Sequence, residues 1–151
     1  MISIDLFGEP VAQKRARIFK KGNKTIGWDP DAKLKEGYKW QVKSQYREDP
    51  LKCPVIMDVI FYMPIPKSES GIKKRQMANG IIYHMKRPDI DNLQKFLFDT
   101  LSGIIFEDDS QIVELRAKKT YSNNPGTNIR VIPLSNETRN EIYESATREI
   151  R

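Results

Sequence analysis

The chain has 151 residues, 30% charged and 38% hydrophobic, with a net charge of +6; this is the length of one domain, large enough for a core without staples and too apolar for a disordered chain. The single cysteine, Cys53, excludes an internal disulfide and a cysteine-based metal site, which fits a reducing cytoplasm. The longest apolar run, Val55 to Met63, is broken by Asp58 and too short to span a bilayer, and the N-terminus lacks a signal-peptide pattern, so a cytoplasmic protein with no membrane partner is expected.

In chain order, Ile2 to Leu6 reads as an opening strand. Arg15–Phe19 and Thr25–Trp28 flank KKGNK, whose Gly and Asn predict a hairpin. Asp29 and Pro30 suit the cap and first position of a helix whose face carries Tyr38, Val42 and Tyr46, with Gly37 as a weak point inside it. Pro54 to Met63 is apolar on both alternating sides apart from Asp58 and predicts a central strand. A short helix is expected from about Ser70 to Ala78. From Asp89 to Ser102, Ile90, Leu93, Phe96, Leu97, Thr100 and Leu101 fall on one stripe, and Gly103 ends the helix. Gln111 to Tyr121 alternates Val113, Leu115 and Ala117 against Glu114, Arg116 and Lys118, a half-buried strand. With Thr127–Ile132 it predicts an antiparallel hairpin. Ser135 could cap a last helix bearing Ile142, Tyr143 and Ala146. The mixture predicts an α+β (mixed α/β) single domain, a mixed sheet with helices packed on it.

The chemistry concentrates between Lys86 and Gln111. Six carboxylates stand there: Asp89, Asp91, Asp99, Glu107, Asp108 and Asp109. Around them the chain is basic, with clusters at Lys14, Arg15, Arg17, Lys20, Lys21 and Lys24, at Lys73, Lys74 and Arg75, at Lys86 and Arg87, and at Lys118 and Lys119. Cations in this number favour a polyanion by counterion release. Asp89 and Asp91 sit at a helix start, where main-chain amides favour negative charge. If the turn at Asp108–Asp109 returns to that helix start, three carboxylates with open positions would suit Mg²⁺. A plainer reading uses the same residues: Asp89 or Asp91 as a cap, Asp91 paired with Lys95, Asp99 on the helix surface, and a polar Glu-Asp-Asp turn. Asp58 is expected on a sheet face or paired with a cation. His84, the single histidine, excludes a histidine-rich zinc site and reads as a surface or hydrogen-bonding residue with a minor phosphate role open.

RPDIDNLQKFLFDTL followed by FEDDSQIVELRAKK resembles the RusA-type Holliday junction resolvases, small endonucleases of phages and prophages. Arg87, Asp89, Asp91, Asn92, Lys95, Asp108, Asp109 and Gln111 carry the resemblance, over about a fifth of the chain. It implies one RusA-like domain over residues 1–151, the residues from 135 onward being a helical extension. It also implies a homodimer in a bacterial host cell, and cutting of four-way DNA junctions by paired symmetric hydrolysis in recombination and repair. The cofactor implied is Mg²⁺, with Mn²⁺ as a substitute. Carried over by residue, Asp89, Asp91 and Asp109 look like metal-binding catalytic carboxylates, with Asp108 able to exchange roles with Asp109, and Lys95 like the essential lysine. Arg15, Arg17, Lys20, Lys21, Lys73, Lys74, Lys86, Arg87, Lys118 and Lys119 would then meet DNA. The competing expectation is a branched-DNA-binding module that does not cut; a nucleotide-sugar metal site is disfavoured, because no nucleotide-binding βαβ unit precedes the acids.

Overall fold

The structure, a computed structural model, describes residues 1–135. The helix expected after Ser135 lies outside them. In chain order the elements are β1 (Ile2–Phe7), β2 (Arg17–Lys21), β3 (Lys24–Trp28), α1 (Ala32–Gln45), β4 (Val55–Pro64), α2 (Gly71–Ala78), α3 (Ile90–Leu101), a 3₁₀ turn at Asp109–Gln111, β5 (Ile112–Ser122) and β6 (Gly126–Pro133). Four strands form one mixed sheet in the order β1-β6-β4-β5, while β2 and β3 form a separate ribbon. The fold is α+β, as the sequence predicts.

β4 is the interior strand its composition predicts. Val55, Met57, Val59, Phe61 and Met63 point into the core and are buried. Ile4 and Leu6 of β1 and Ile129 and Val131 of β6 join them. α1 contributes Tyr38 and Val42, and α3 contributes Leu93, Phe96, Leu97 and Leu101. The Tyr38 and Phe96 rings meet edge to face at 5.5 Å, so the helices touch each other as well as the sheet. The opposite face of the sheet is more polar; there Asp58 faces Arg116 at 3.3 Å, the basic pairing expected for it.

The structure departs from the sequence expectations at three points. First, β5 and β6 are not a hairpin: β4 lies between them, parallel to β5 and antiparallel to β6. The most apolar strand takes one of the two interior slots, beside β6, and the charged β5 takes an edge. Second, α1 starts at Ala32, not at Pro30. Asp29 bends its carboxylate back to accept the Asp31 N–H at 2.9 Å, a local turn that delays the helix. Third, Val113 does not share the inward side of β5. The register slips between Val55 and Ile56, opposite Ile112 and Glu114, which leaves Val113 exposed.

The outer edge of β1 is closed by side chains. Gln45 of α1 accepts the Asp5 N–H and donates to the Asp5 carbonyl, at 2.9 and 2.8 Å. Gln41 does the same for Phe7, at 2.8 and 3.3 Å. Two amide side chains thus imitate a neighbouring strand and satisfy main-chain groups that an edge exposes.

Where β1 and β6 meet, Gly126 packs so closely that a Cβ there would stand 2.8 Å from the Leu6 carbonyl oxygen. Gly126→Ala is expected to lower stability by about 1–2 kcal/mol, because main-chain atoms must move. A urea midpoint equal to that of the parent protein would refute this.

Candidate active site

α3 is built to present its first turn. Its apolar stripe fixes the helix against the sheet and leaves Asp91 and Lys95 exposed. Asp89 occupies the cap position, yet its carboxylate makes no cap hydrogen bond. The plainer reading of Asp89 as a helix cap therefore fails: the fold does not use that carboxylate where capping residues are used. Asp91 does pair with Lys95, at 3.6 Å. Both side chains are more than 60% exposed, so the pair is screened and holds little energy. The chain reaches Asp89 through a cis peptide bond between Arg87 and Pro88.

The loop before α3 is held from β5. Lys119 donates from Nζ to the carbonyls of Lys86 and Pro88, at 2.8 and 2.9 Å. Lys119 is thus an anchor for the loop that delivers Asp89, a role its sequence context did not disclose. His84, in the same loop, is buried against Tyr121, ring centroids 4.7 Å apart. Burial lowers its pKa, and the charges of Lys119 and Lys86 lower it further. Of the two expectations for His84, surface or hydrogen-bonding, the packed ring excludes the surface one.

Asp108, Asp109 and Gln111 lie elsewhere. Gln111 donates to the carbonyls of Leu51 and Cys53, at 2.8 and 2.9 Å, and accepts the Asp108 N–H at 2.9 Å. Asp108 in turn accepts the Ser110 N–H at 2.9 Å, completing a capping box. Bonds from Ser110 hold the Asp108 carboxyl below the usual carboxylate range. The fold therefore employs Asp108 as a cap and leaves Asp109 exposed beside it.

This acidic turn does not return to the start of α3. It sits by the beginning of β4 and by Phe106, which bridges to Ser102 at the far end of the helix. The 12 residues of α3 separate the two groups by about 18 Å. β5 gives a consistent measure: the turn precedes Ile112, whereas the Asp89 loop is tied to Lys119, about 23 Å along a strand. Asp89, Asp91 and Lys95 are gathered at one end, Asp108 and Asp109 at the other. Among the described residues no three His, Cys, Asp or Glu side chains are grouped as a metal site. The donors are of the hard oxygen type that Mg²⁺ takes, but among the described residues they stand in separate groups, Asp89 with Asp91 and Asp108 with Asp109.

A family model described as endodeoxyribonuclease RusA matches residues 8–132. The chain belongs to the RusA endodeoxyribonuclease family. It is also 38% identical over 138 residues to "Uncharacterized protein YqaN" of Bacillus subtilis (strain 168), covering 89% of this chain and 97% of that protein. The RusA match takes in the ribbon, both helices that frame the core and both acidic groups. No helix among the described residues is long and apolar enough to cross a membrane.

The remaining basic residues fall into two classes. Arg15, Arg17, Lys20 and Lys21 are exposed on the ribbon and its approach, Lys86 and Arg87 are exposed beside Asp89, and Lys118 is exposed on β5. Lys74 instead donates to the Lys67 carbonyl at 2.8 Å, and Lys73 lies 3.7 Å from Glu69. Lys74 thus ties its helix to the preceding loop, whereas Lys73 stays exposed in a pairing as weak as that of Asp91 with Lys95. Asp99 is likewise taken by structure, bonded to the buried Lys35 at 2.9 Å. Lys35 was missed by the sequence reading, because a lysine in a charged helix gives no sign of burial.

Proposed function

We propose that this protein is a divalent-metal-dependent, structure-selective endodeoxyribonuclease that resolves four-way DNA junctions as a homodimer. Each active site takes Asp89, Asp91 and Lys95 from one subunit and Asp109 of the partner subunit. The observation that carries this reading is the separation of the acids. The fold spares Asp89 and Asp109 from capping but places them a helix length apart. A second copy, related by a two-fold axis, could bring the far end of its α3 to the near end of this one.

The residues would act as follows. Asp89 and Asp91 of one subunit and Asp109 of the partner subunit would hold the metal, Mg²⁺ or Mn²⁺. When bound, it would polarise the scissile phosphate and make a water acidic enough to attack. Lys95, one turn along α3, would exchange its weak pairing with Asp91 for the phosphate and stabilise charge as the phosphodiester breaks. Lys86 and Arg87, just before the acids, would seat the neighbouring phosphates. A symmetric pair of such sites matches the paired nicks that junction resolution in recombination and repair requires.

The test is cleavage of a synthetic mobile four-way junction beside linear duplex, with Mg²⁺ and with EDTA. Wild-type protein should produce paired symmetric nicks on the junction only, with metal only. Asp91→Asn should lower the rate by a hundredfold or more while junction binding persists. Tight junction binding without cutting in Mg²⁺ or Mn²⁺ would reject this reading in favour of a branched-DNA-binding module.

A further inference from the structure

The ribbon β2–β3 stands apart from the core. Every residue of both strands is exposed. Its register sets Arg17 opposite Trp28, Phe19 opposite Ile26, and Lys21 opposite Lys24. Side chains alternate along a strand, so these three pairs share one face. From root to tip that face carries a cation with an indole, a phenyl ring with an isoleucine, and two ammonium groups. Phe19 is 56% exposed, Ile26 49% and Trp28 52%. Contact across the strands helps hold the ribbon together, but about half of each apolar side chain still faces water.

The charge of the segment selects what could cover that face. From Val11 through Trp28 there are six Lys or Arg residues and no Asp or Glu. A second ribbon would bring the same cations face to face, which is repulsive. A polyanion with exposed ring faces satisfies both features, and unpaired nucleic acid is that polyanion: its bases stack on aromatic side chains while its phosphates pair with Lys and Arg. Paired duplex hides its base faces and would leave Phe19 and Trp28 unused.

The root of the ribbon stands beside the acids of α3. The Gln13 N–H donates to the Asn92 carbonyl at 2.9 Å, next to Asp91. The Lys14 N–H donates to Asp31 at 2.8 Å. On the return strand, Asp29 is bonded to Lys35 at 2.8 Å, and Lys35 is bonded to Asp99 of α3. Both ends are thus tied to α3, and five-residue strands carry the tip about 16 Å outward. That reach covers the few nucleotides that flank a phosphate held at Asp89 and Asp91.

We infer that the β2–β3 ribbon binds unpaired DNA bases beside the branch point. Phe19 and Trp28 are the stacking rings, and Arg17, Lys21 and Lys24 contact the adjoining phosphates. The inference rests on the reading of this protein as an enzyme of branched DNA, and adds what distinguishes a branch from a duplex: the pairs at the branch point, where stacking is interrupted, open for the rings at lower cost than pairs within a duplex.

Binding of the full-length protein to oligo-dT, linear duplex and a four-way junction, all in EDTA, tests it. Trp40→Phe leaves Trp28 as the reporter of stacking, and its fluorescence should be quenched by oligo-dT. Phe19→Ala and Trp28→Ala should each weaken oligo-dT and junction binding roughly tenfold or more and duplex binding less than about threefold, without changing the salt dependence. Trp28→Phe should retain most of the affinity, because a ring remains. Lys21→Gln with Lys24→Gln should instead reduce the salt slope on oligo-dT by about 1.4. Equal losses on duplex and oligo-dT, or unchanged affinity in the ring variants, would overturn the inference. So would conversion of a dimer to a monomer by Phe19→Ala in sedimentation, which would make the face an interface between copies. If the wild-type protein bound no DNA at all, the functional reading would fail first; if it cut junctions and the ring variants bound them normally, only the role of the ribbon would fail.

Discussion

Mixing Asp91→Asn protein with Asp109→Asn protein should restore cutting that neither has alone. In a dimer whose sites combine the two ends of α3 from different subunits, a mixed dimer has one site with both defects and one site with none. The intact site takes Asp89 and Asp91 from the Asp109→Asn subunit and Asp109 of the partner subunit. Random exchange makes about half the dimers mixed, so activity should return to about a quarter of the wild-type site count. The product should be a single nick in one strand, because only one of the two centres works. If all three carboxylates served one site from one chain, every site in the mixture would be defective and no cutting would return. Asp108→Asn is the control: its carboxylate caps the turn, so it should cost stability but leave most of the cutting intact.

Lys35→Met is expected to lower stability by about 2–3 kcal/mol while keeping the buried hydrocarbon stem. The ammonium group is 2.8 Å from Asp29, 2.9 Å from Asp99 and 5.9 Å from the centre of the Phe96 ring. Breaking a fully buried pair costs about 3–5 kcal/mol. Here the figure is smaller, because the Asp29 and Asp99 side chains are 37% and 51% exposed and regain water.

The pH dependence of that difference follows from the shifts. Burial pulls the Lys35 pKa down, but the bonds to Asp29 and Asp99 outweigh it and raise it above 10.5. Lys35 and the Asp31 N–H hold Asp29 below 3.8, against burial. A raised amine stabilises the fold below its unfolded pKa and loses that effect as pH rises through its folded pKa. A lowered carboxyl stabilises above its unfolded pKa and loses that effect as pH falls through its folded pKa. The gap between wild type and Lys35→Met should therefore be flat from about pH 4 to pH 10 and shrink beyond both ends. Urea unfolding across pH would show it; a gap that stayed constant into acid would mean that the carboxylates play no part in it.

The sequence disclosed what depends on local pattern. The stripe of α3, the apolar β4, the Gly22-Asn23 turn of the ribbon and the short helix α2 are all written in neighbouring residues, and the structure has each of them. The order of strands is not local. β5 and β6 adjoin in sequence and lie two places apart in the sheet, because the apolar β4 takes the interior position between them. The candidate site divides in the same way. The pairing of Asp91 with Lys95 is a matter of helical spacing and was readable. The distance from Asp89 to Asp109 depends on where the chain turns after Gly103, and Gln111 decides that by bonding to Leu51 and Cys53, 60 and 58 residues away in sequence.

The two glutamines on β1 bear on the order in which the chain folds. Among the described residues β1 pairs only with β6, Ile2 against Val131, so during synthesis it waits for nearly all of them to emerge. Gln41 and Gln45 are separated from their partners by only 34 and 40 residues. Closing that shorter loop costs less entropy, so β1 and α1 are expected to dock first, and β6 to slide last between two strands already in place. Such late insertion of a distant strand belongs to slow folding. Pulse-labelled hydrogen exchange should find the Asp5 and Phe7 amides protected before those of β6, and Gln45→Ala should delay the former.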